Sequence, residues 1–308
     1  MPQPPVARDL IDDAEARLQR SPAIDHWPPG REEDEARALL AFVLGIQRDD
    51  LDDDAAVDGR RARRFSDLVR RRAGGEPIAH ITGWTLFKGL QIRVRPGAFV
   101  PRQSSEFVVE QAIRRLRRRP APVHVDLATG IGPIALAVAA AVPPARVFGA
   151  DISADAVRQA RANARTLGLR NVTFAVGDLF APLPRDIRGR VDVITAHAPY
   201  VPRWEVEDLP LEIRGFEPVD TLTDHSDHGL SLLIRIAVDA HVWLRPGGWL
   251  MVEVSPDFAR RVRGLFVRAG YQDVRSTKGW PEVTRVIVGR APARRVEVAA
   301  TAGRRGSS

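Results

Sequence analysis

The residues best suited to chemistry in this chain are a glycine-containing turn and two aspartates, each directly after a predicted strand. The segment Ala128-Thr-Gly-Ile-Gly132 follows the strand 123–127 and opens a helix, where a doubly wound α/β fold places its cofactor. Glycines let the backbone approach a ligand closely. Asp151, after the second strand, can accept hydrogen bonds from both ribose hydroxyls, and Asp178, after the third, can hold an adenine amine. The sequence therefore predicts a nucleoside cofactor.

The order of these positions favours S-adenosylmethionine (SAM) over a dinucleotide. The turn lacks the full G-x-G-x-x-G spacing, and no other diphosphate-binding residue replaces it. Taken singly, each aspartate is more simply a helix cap or a loop residue. Together they predict a SAM site built from Ala128, Thr129, Gly130, Ile131, Gly132, Asp151, Ile152, Asp178, Leu179 and His197.

The fourth predicted strand ends in His197-Ala-Pro-Tyr200, at the carboxyl edge of the sheet where reacting groups belong. A neutral histidine accepts one hydrogen bond and can also take a proton. This property suits a hydroxyl or amine acceptor with His197 as general base. The predicted catalytic residues are His197, Pro199 and Tyr200, and the predicted substrate-binding residues are His197, Ala198, Pro199, Tyr200 and Arg102.

A series of short motifs in a fixed order resembles the HemK/PrmC family of protein-glutamine N5-methyltransferases over about residues 75–290. The resemblance implies that SAM donates a methyl group to the glutamine of the Gly-Gly-Gln motif in peptide-chain release factors. The motifs are Gly75-Glu-Pro-Ile78, Ile81-Thr-Gly83, Phe87-Lys-Gly-Leu90, Val100-Pro-Arg102, Ala128-Thr-Gly-Ile-Gly132, Ala150-Asp-Ile-Ser153, Gly177-Asp178, Ala198-Pro-Tyr200, Phe216-Glu-Pro218, Gly229-Leu230 and Pro246-Gly-Gly-Trp249.

The chain departs from the family pattern at four places. His197-Ala-Pro-Tyr200 stands for Asn-Pro-Pro-Tyr, Ala128-Thr-Gly-Ile-Gly132 for Gly-Thr-Gly-Ser-Gly, Arg102-Gln-Ser-Ser-Glu106 for Arg-Pro-Glu-Thr-Glu, and Leu179 for an aromatic residue. The resemblance implies that the asparagine and the next backbone carbonyl accept the two hydrogens of the glutamine amide. His197 either fills this role or changes the acceptor to a small molecule, and both alternatives stay open.

Two amphipathic helices and a basic third helix are predicted before the methyltransferase motifs. Apolar residues recur on one face over 6–20 and over 31–45, and 60–72 completes a small bundle. Residues with β preference over 78–94, interrupted by turn glycines, predict a hairpin that links the bundle to the rest of the chain.

After Pro122 the pattern alternates between strands and helices. This alternation predicts one mostly parallel sheet with helices on both faces. The expected fold class is therefore α/β, with the doubly wound, seven-stranded, mostly parallel sheet of a class I SAM-dependent methyltransferase. The predicted strands are 123–127, 146–150, 172–176, 191–196, 249–254, a strand around Val274, and 283–288; predicted helices begin at Pro133, Ala154, Leu230 and Pro256.

These patterns divide the chain into four segments. Residues 1–75 are expected to form a helical domain, which the resemblance implies helps to recognise a protein substrate, and 76–100 a hairpin linker. Residues 101–290 are expected to form the SAM-binding methyltransferase domain. Residues 291–308 contain Ala, Arg, Gly and Ser without periodicity, so this tail is predicted to be disordered.

Composition excludes several classes of protein. The chain has no cysteine, which excludes disulfides, thiolate metal sites and a cysteine nucleophile. The longest apolar run, 134–142, is far shorter than the ~20 residues that cross a bilayer. A cytoplasmic enzyme without membrane contact is expected. His225, Asp227 and His228 lack the spacing of helical metal ligands, so no metal is predicted.

Charge is divided unevenly, with acidic residues in excess over 1–58 and basic residues over 59–120. A basic surface can contact nucleic acid, but no aromatic residues interleave with these arginines as base stacking requires. Nucleic acid is therefore the less favoured partner, behind a release-factor-like protein or a small-molecule acceptor. A SAM-binding protein without activity is the fourth alternative.

Five charged residues near these motifs each have two interpretations. Arg102 and Glu106 either close over the cofactor or cap and charge the next helix. Glu212, Arg214 and Glu217 lie in the long loop after the fourth strand, where they either contact substrate or form salt links.

Overall fold

The amino-terminal part of the protein is a small helical bundle. The computed structural model describes residues 4–278 and 285–293. Helices α1 (Ala7–Gln19), α2 (Arg31–Leu44) and α3 (Gly59–Ala73) lie within two residues of the predicted bounds. Their apolar faces meet in a shared core because residues three and four apart lie on one side of a helix. The largest of these core side chains are Ile11, Leu18, Leu39, Leu40 and Phe65.

The predicted hairpin over 78–94 is only partly right. Its first residues form a short helix, α4 (Ile78–Thr82), and the hairpin consists of β1 (Trp84–Phe87) and β2 (Leu90–Arg93). Ile81 packs into the core of the helical bundle, and the His80 ring bonds the carbonyl of Ala98 at 3.0 Å. These tertiary contacts override the β preference of the segment.

The rest of the chain builds one seven-stranded sheet with helices on both faces. The strand order is β5-β4-β3-β6-β7-β9-β8, parallel from β5 to β7, while β9 is antiparallel to both of its neighbours. The mostly parallel seven-stranded sheet predicted from sequence is confirmed. The elements are α5 (Glu106–Leu116), β3 (Val123–Leu127), α6 (Pro133–Ala141), β4 (Arg146–Asp151), α7 (Ala154–Thr166), β5 (Val172–Val176), β6 (Val191–Ala196), α8 (Leu211–Arg214), α9 (Ser231–Trp243), β7 (Leu244–Val254), α10 (Pro256–Arg268), β8 (Gln272–Lys278) and β9 (Arg285–Arg290).

The sheet places the candidate site at the carboxyl ends of its central strands. Strands β3 and β6 are buried along their whole length, as expected for parallel strands covered on both faces. The chain reverses its strand order at β3, which lies between β4 and β6. Ligands bind at such a switch point.

Two predictions fall partly outside the described residues. The predicted strand over 283–288 is observed from Arg285, and of the tail predicted to be disordered only 291–293 is described. The domain bounds stay predictions. Over the described ranges, no helix is both long and apolar enough to cross a bilayer.

Candidate active site

The glycine-containing turn after β3 folds sharply over the end of the sheet. Ala128, Gly130 and Gly132 all have positive φ, at 50°, 56° and 90°, and the N–H of Gly132 donates to the carbonyl of Thr129 at 2.9 Å. A Cβ on Gly132 would lie 2.8 Å from the Phe174 ring. This position therefore requires glycine both for its φ and for its space.

A buried polar chain supports the turn from below. Asp126 accepts hydrogen bonds from the hydroxyls of Thr129 at 2.6 Å and Thr195 at 2.7 Å. Because the Thr195 proton is used in this way, the His124 Nε2, 2.9 Å from the Thr195 hydroxyl, must donate to it. Burial lowers the pKa of His124 to about 3 and raises the pKa of Asp126 to about 7. Sequence reasoning missed this chain, although polar residues inside an apolar strand were a visible signal.

Asp151 lies beside the turn at the end of β4. Its Oδ2 accepts the N–H of Gly130 at 2.7 Å, and its Oδ1 accepts the N–H of Ser153 at 2.9 Å. Burial raises the pKa of Asp151, and these two bonds oppose the rise. Each carboxylate oxygen has a second acceptor position, so the side chain can still accept from two ligand hydroxyls. Ile152 is next to it and 73% exposed, which offers an apolar face to a planar base.

Asp178 and Leu179 follow β5 and differ in their surroundings. Asp178 is half-exposed, and its Oδ2 accepts a hydrogen bond of 2.6 Å from Arg235 of α9. This bond raises the pKa of Arg235. Leu179 has a φ of 47° and a side chain packed in the core. The sequence did not indicate Arg235, because its contact with Asp178 spans more than fifty residues of chain.

The His197 ring lies between two aromatic rings at the end of β6. The ring of Phe99 meets it edge-on at 5.6 Å, and the ring of Tyr200 stacks on it at 6.1 Å. Its Nδ1 lies 3.4 Å from the hydroxyl of Ser105 and 3.7 Å from Oε2 of Glu253. His197, Arg102 and the glycine-containing turn line one cleft, so the structure brings these predicted residues together. Asp151 joins them through its bond to Gly130, whereas Asp178 does not line the cleft.

The rest of the acceptor motif forms the wall behind His197. Ala198 is buried, and Pro199 leads into Tyr200, whose ring also contacts Phe258 at 5.4 Å. Burial raises the pKa of Tyr200 to about 12, with a further contribution from the charge of Glu253. Tyr200 is therefore a neutral side chain that packs against His197 and Phe258.

Arg102 and Glu106 have separate roles in the structure. Arg102 donates to Oε2 of Glu217 at 2.7 Å and lies over the Phe99 ring at 4.6 Å, and it lines the cleft. Burial raises the pKa of Glu217, against the charge of Arg102. Glu106 instead accepts the backbone N–H of Lys88 at 2.6 Å. The Glu106 carboxylate therefore bonds the turn of the hairpin. Of these two residues, Arg102 is the one that lines the cleft.

The long loop after β6 is bonded to the helical bundle. Glu212 of α8 accepts hydrogen bonds from Arg31 at 2.8 and 2.9 Å and from Arg72 at 2.6 Å. Burial alone would raise the pKa of Glu212, but the bonds and charges of these arginines hold it below its usual range. Arg214 bonds the Leu209 carbonyl at 3.0 Å. The three loop residues considered as substrate contacts, Glu212, Arg214 and Glu217, therefore bond within the chain.

The loop returns to its starting point at Gly229. With a φ of 64°, Gly229 packs so closely on Tyr200 that a Cβ would overlap the Tyr200 carbonyl. Within the loop, His225 bonds Asp220 at 2.7 Å and Asp227 pairs with Arg203 at 2.6 Å. Among the described residues, no group of three or more His, Cys, Asp or Glu side chains could hold a metal ion.

These features define a class of protein. A mostly parallel seven-stranded sheet with one reversed strand near its edge, and a glycine-containing turn after β3, are the fold of a class I SAM-dependent methyltransferase. Residues 121–253 match the family described as methyltransferase domain, and residues 9–83 match the family described as PrmC N-terminal domain.

Relatives identify the family within this class. The chain is 37% identical to the release factor glutamine methyltransferase of Geobacter sulfurreducens, with 83% of this chain and 88% of that protein covered. Identity to the protein of the same name from Bordetella pertussis is also 37%, over 85% and 96% of the two chains. The chain belongs to the family of release factor glutamine methyltransferases, and the resemblance seen in its motifs is confirmed.

A solved structure supports the fold alone. A 16S rRNA methyltransferase from T. thermophilus, in complex with AdoMet and guanosine, matches with a TM-score of 0.50 at 17% identity. The match covers 68% of this chain and 49% of that one.

Proposed function

We propose that this enzyme transfers a methyl group from SAM to the side-chain nitrogen of a glutamine in a peptide-chain release factor. The observation that carries this proposal is the shared cleft, which is lined by both the glycine-containing turn and His197. Methyl transfer from a sulfonium is an in-line displacement, so the enzyme must hold nucleophile, methyl carbon and sulfur in line.

The residues present fit SAM. The turn brings backbone close to the ligand, Asp151 keeps free acceptor positions for the ribose hydroxyls, and exposed Ile152 offers a face to the adenine. Asp178 would hold the adenine amine, with its second oxygen paired to Arg235. Bound there, SAM supplies a methyl group on a positively charged sulfur.

A protein acceptor is supported by the bonds between the acceptor loop and the helical bundle. The loop that leaves the motif at 197–200 is joined by Glu212 to Arg31 and Arg72. These ion pairs fix the loop relative to the helical bundle, and a surface that is fixed before binding loses less conformational freedom when it recognises a folded partner. The relatives are named for a release factor, and the match extends into the bundle.

A small-molecule acceptor is the second candidate, because position 197 is histidine. A histidine can remove a proton from a hydroxyl or amine, which an asparagine cannot do. The same donor site would serve this reaction.

Methyl-labelled SAM separates the candidates. We expect label in release factor when enzyme, SAM and purified factor are combined, with mass spectrometry locating one added methyl on the glutamine of Gly-Gly-Gln. A release factor with that glutamine changed to glutamate is the matched control and should stay unlabelled. Label appearing only in RNA or in the small-molecule fraction of an extract would contradict the proposal.

A further inference from the structure

Glu253 is a buried carboxylate, and one of its oxygens accepts no hydrogen bond from the described part of the chain. It lies near the end of β7 and is 1% exposed. Its Oε1 accepts from the hydroxyl of Ser104 at 3.1 Å, whereas its Oε2 has no hydrogen-bond partner among the residues that the structure describes. A buried carboxylate oxygen without a partner is costly, so this atom calls for an explanation in function.

The nearest basic group to this oxygen is the ring of His197, whose Nδ1 is 3.7 Å away. That distance is longer than a hydrogen bond, and catalytic hydrogen bonds are often long before substrate binds. The rings of Phe99 and Tyr200 restrict the tilt of the imidazole. A movement of less than about 1 Å would bring Nδ1 within hydrogen-bonding distance of Oε2.

The opposite ring nitrogen of His197 is available to the acceptor. Nδ1 and Nε2 lie on opposite sides of an imidazole, and Nδ1 faces Glu253 and Ser105. Nε2 makes no hydrogen bond to any residue within 4–278 or 285–293. Since His197 lines the cleft together with Gly130, Nε2 is the nitrogen that a bound acceptor can reach.

We propose that Glu253 is a positioning residue that holds His197 with its proton on Nδ1, so that Nε2 takes the proton released by the methyl acceptor. The proposal rests on the proposed methyltransferase function. The acceptor nitrogen forms its bond to the methyl carbon while the carbon–sulfur bond breaks, and that bond's electron pair goes to sulfur. The N–H bond of the acceptor breaks at the same time, and its proton moves to Nε2, giving an imidazolium beside the carboxylate of Glu253.

The charge arrangement suits this step. An imidazolium formed in a buried site is stabilised by a carboxylate at ion-pair distance, and both ring nitrogens are then donors. An asparagine at this position would accept a hydrogen bond but could not take the proton. The glutamate and the histidine therefore act as a pair, and the effect of changing Glu253 should depend on which residue occupies position 197.

A double-mutant cycle on activity tests this dependence. Glu253→Gln keeps the shape of the side chain and an acceptor for Ser104, and we expect it to lower kcat about 10- to 100-fold, a typical range for weakened general-base catalysis. SAM affinity by calorimetry should stay within about 2-fold, since SAM does not reach Glu253 in this scheme. In a His197→Asn background, the same change should lower kcat by less than about 3-fold. Equal effects in both backgrounds would overturn the proposal.

Nitrogen-15 NMR of the free enzyme gives a second readout that needs neither acceptor nor turnover. The chain has seven histidines, and the His197 signals are assigned by their loss in His197→Asn. We expect wild-type His197 to carry its proton on Nδ1 and Glu253→Gln to shift the proton toward Nε2. A wild-type proton on Nε2 would overturn the proposal, even if release factor proved to be the acceptor. A proton on Nδ1 without label in release factor would instead contradict only the proposed function.

Discussion

Arg72 offers a direct test of how the helical bundle is attached to the acceptor loop. Its side chain is 0% exposed and donates to both oxygens of Glu35, at 2.7 and 3.1 Å, and to Glu212 at 2.6 Å. The change Arg72→Met keeps most of the length of the side chain but removes every donor and the charge. Glu35 and Glu212 then lose one of the two arginines that they share.

The expected cost depends on the bonds that remain. Removing one partner of a buried ion pair costs about 3–5 kcal/mol, because the other charge stays buried. Glu35 and Glu212 each retain a bond to Arg31, so we expect the lower end, about 3 kcal/mol of the free energy of unfolding. The matched control is Arg70→Met on the same helix, since Arg70 is exposed and pairs with exposed Asp67.

Urea denaturation followed by circular dichroism measures both variants. We expect Arg70→Met to cost no more than about 1 kcal/mol, as for other exposed pairs. Adding Glu212→Gln to Arg72→Met should cost less than the sum of the two single changes, because the second change removes a charge that the first left unpaired. The reasoning would be refuted if Arg72→Met and Arg70→Met lowered the free energy of unfolding equally.

Three further predictions concern the donor side of the site. Asp151→Asn should weaken SAM binding by about 1–3 kcal/mol through loss of charge-assisted hydrogen bonds; unchanged affinity in calorimetry would remove Asp151 from the site. Gly132→Ala should lower the free energy of unfolding by about 1–3 kcal/mol more than Gly130→Ala, because only the former places a Cβ 2.8 Å from the Phe174 ring; equal thermal shifts would contradict this. Burial raises the pKa of Asp126 from 3.8 to about 7, so its stabilising contribution is full below about pH 4 and is lost as pH rises through about 7. In Asp126→Asn the free energy of unfolding should therefore fall less between about pH 4 and about pH 8, by up to about 4 kcal/mol. Urea denaturation of both proteins across this range measures the difference, and parallel pH profiles would contradict this prediction.

The sequence predicted those features that depend on neighbours in the chain. Strands such as Val123–Leu127 and Val191–Ala196 were placed correctly because valine recurs at alternate positions in both segments, which is a pattern typical of strands. The turn and Asp151 were placed at strand ends for the same reason. Whether SAM binds at each of the predicted residues stays a prediction.

Features that depend on contacts across the fold could not be predicted. The partners of His197 are Phe99, Ser105 and Glu253, which come from other parts of the chain and meet only when the sheet forms. The sequence predicts the segment of the short helix Ile78–Thr82 as part of the hairpin, because five residues carry too little periodicity to distinguish a helix from a strand. Burial against the helical bundle decided between them.

The contact between Tyr200 and Gly229 holds together the two ends of the loop that follows β6. When the ends of a flexible loop are held together, each doubling of its length raises the free energy of loop closure by only about 0.6 kcal/mol. Residues can therefore be inserted or exchanged over Arg203–Asp208, before the segment that contacts Arg31 and Arg72, without moving His197. The half-buried and exposed side chains of Arg203–Asp208 leave the surface beside the cleft open to change in shape, while the bonds of Glu212 keep the rest of the loop in place.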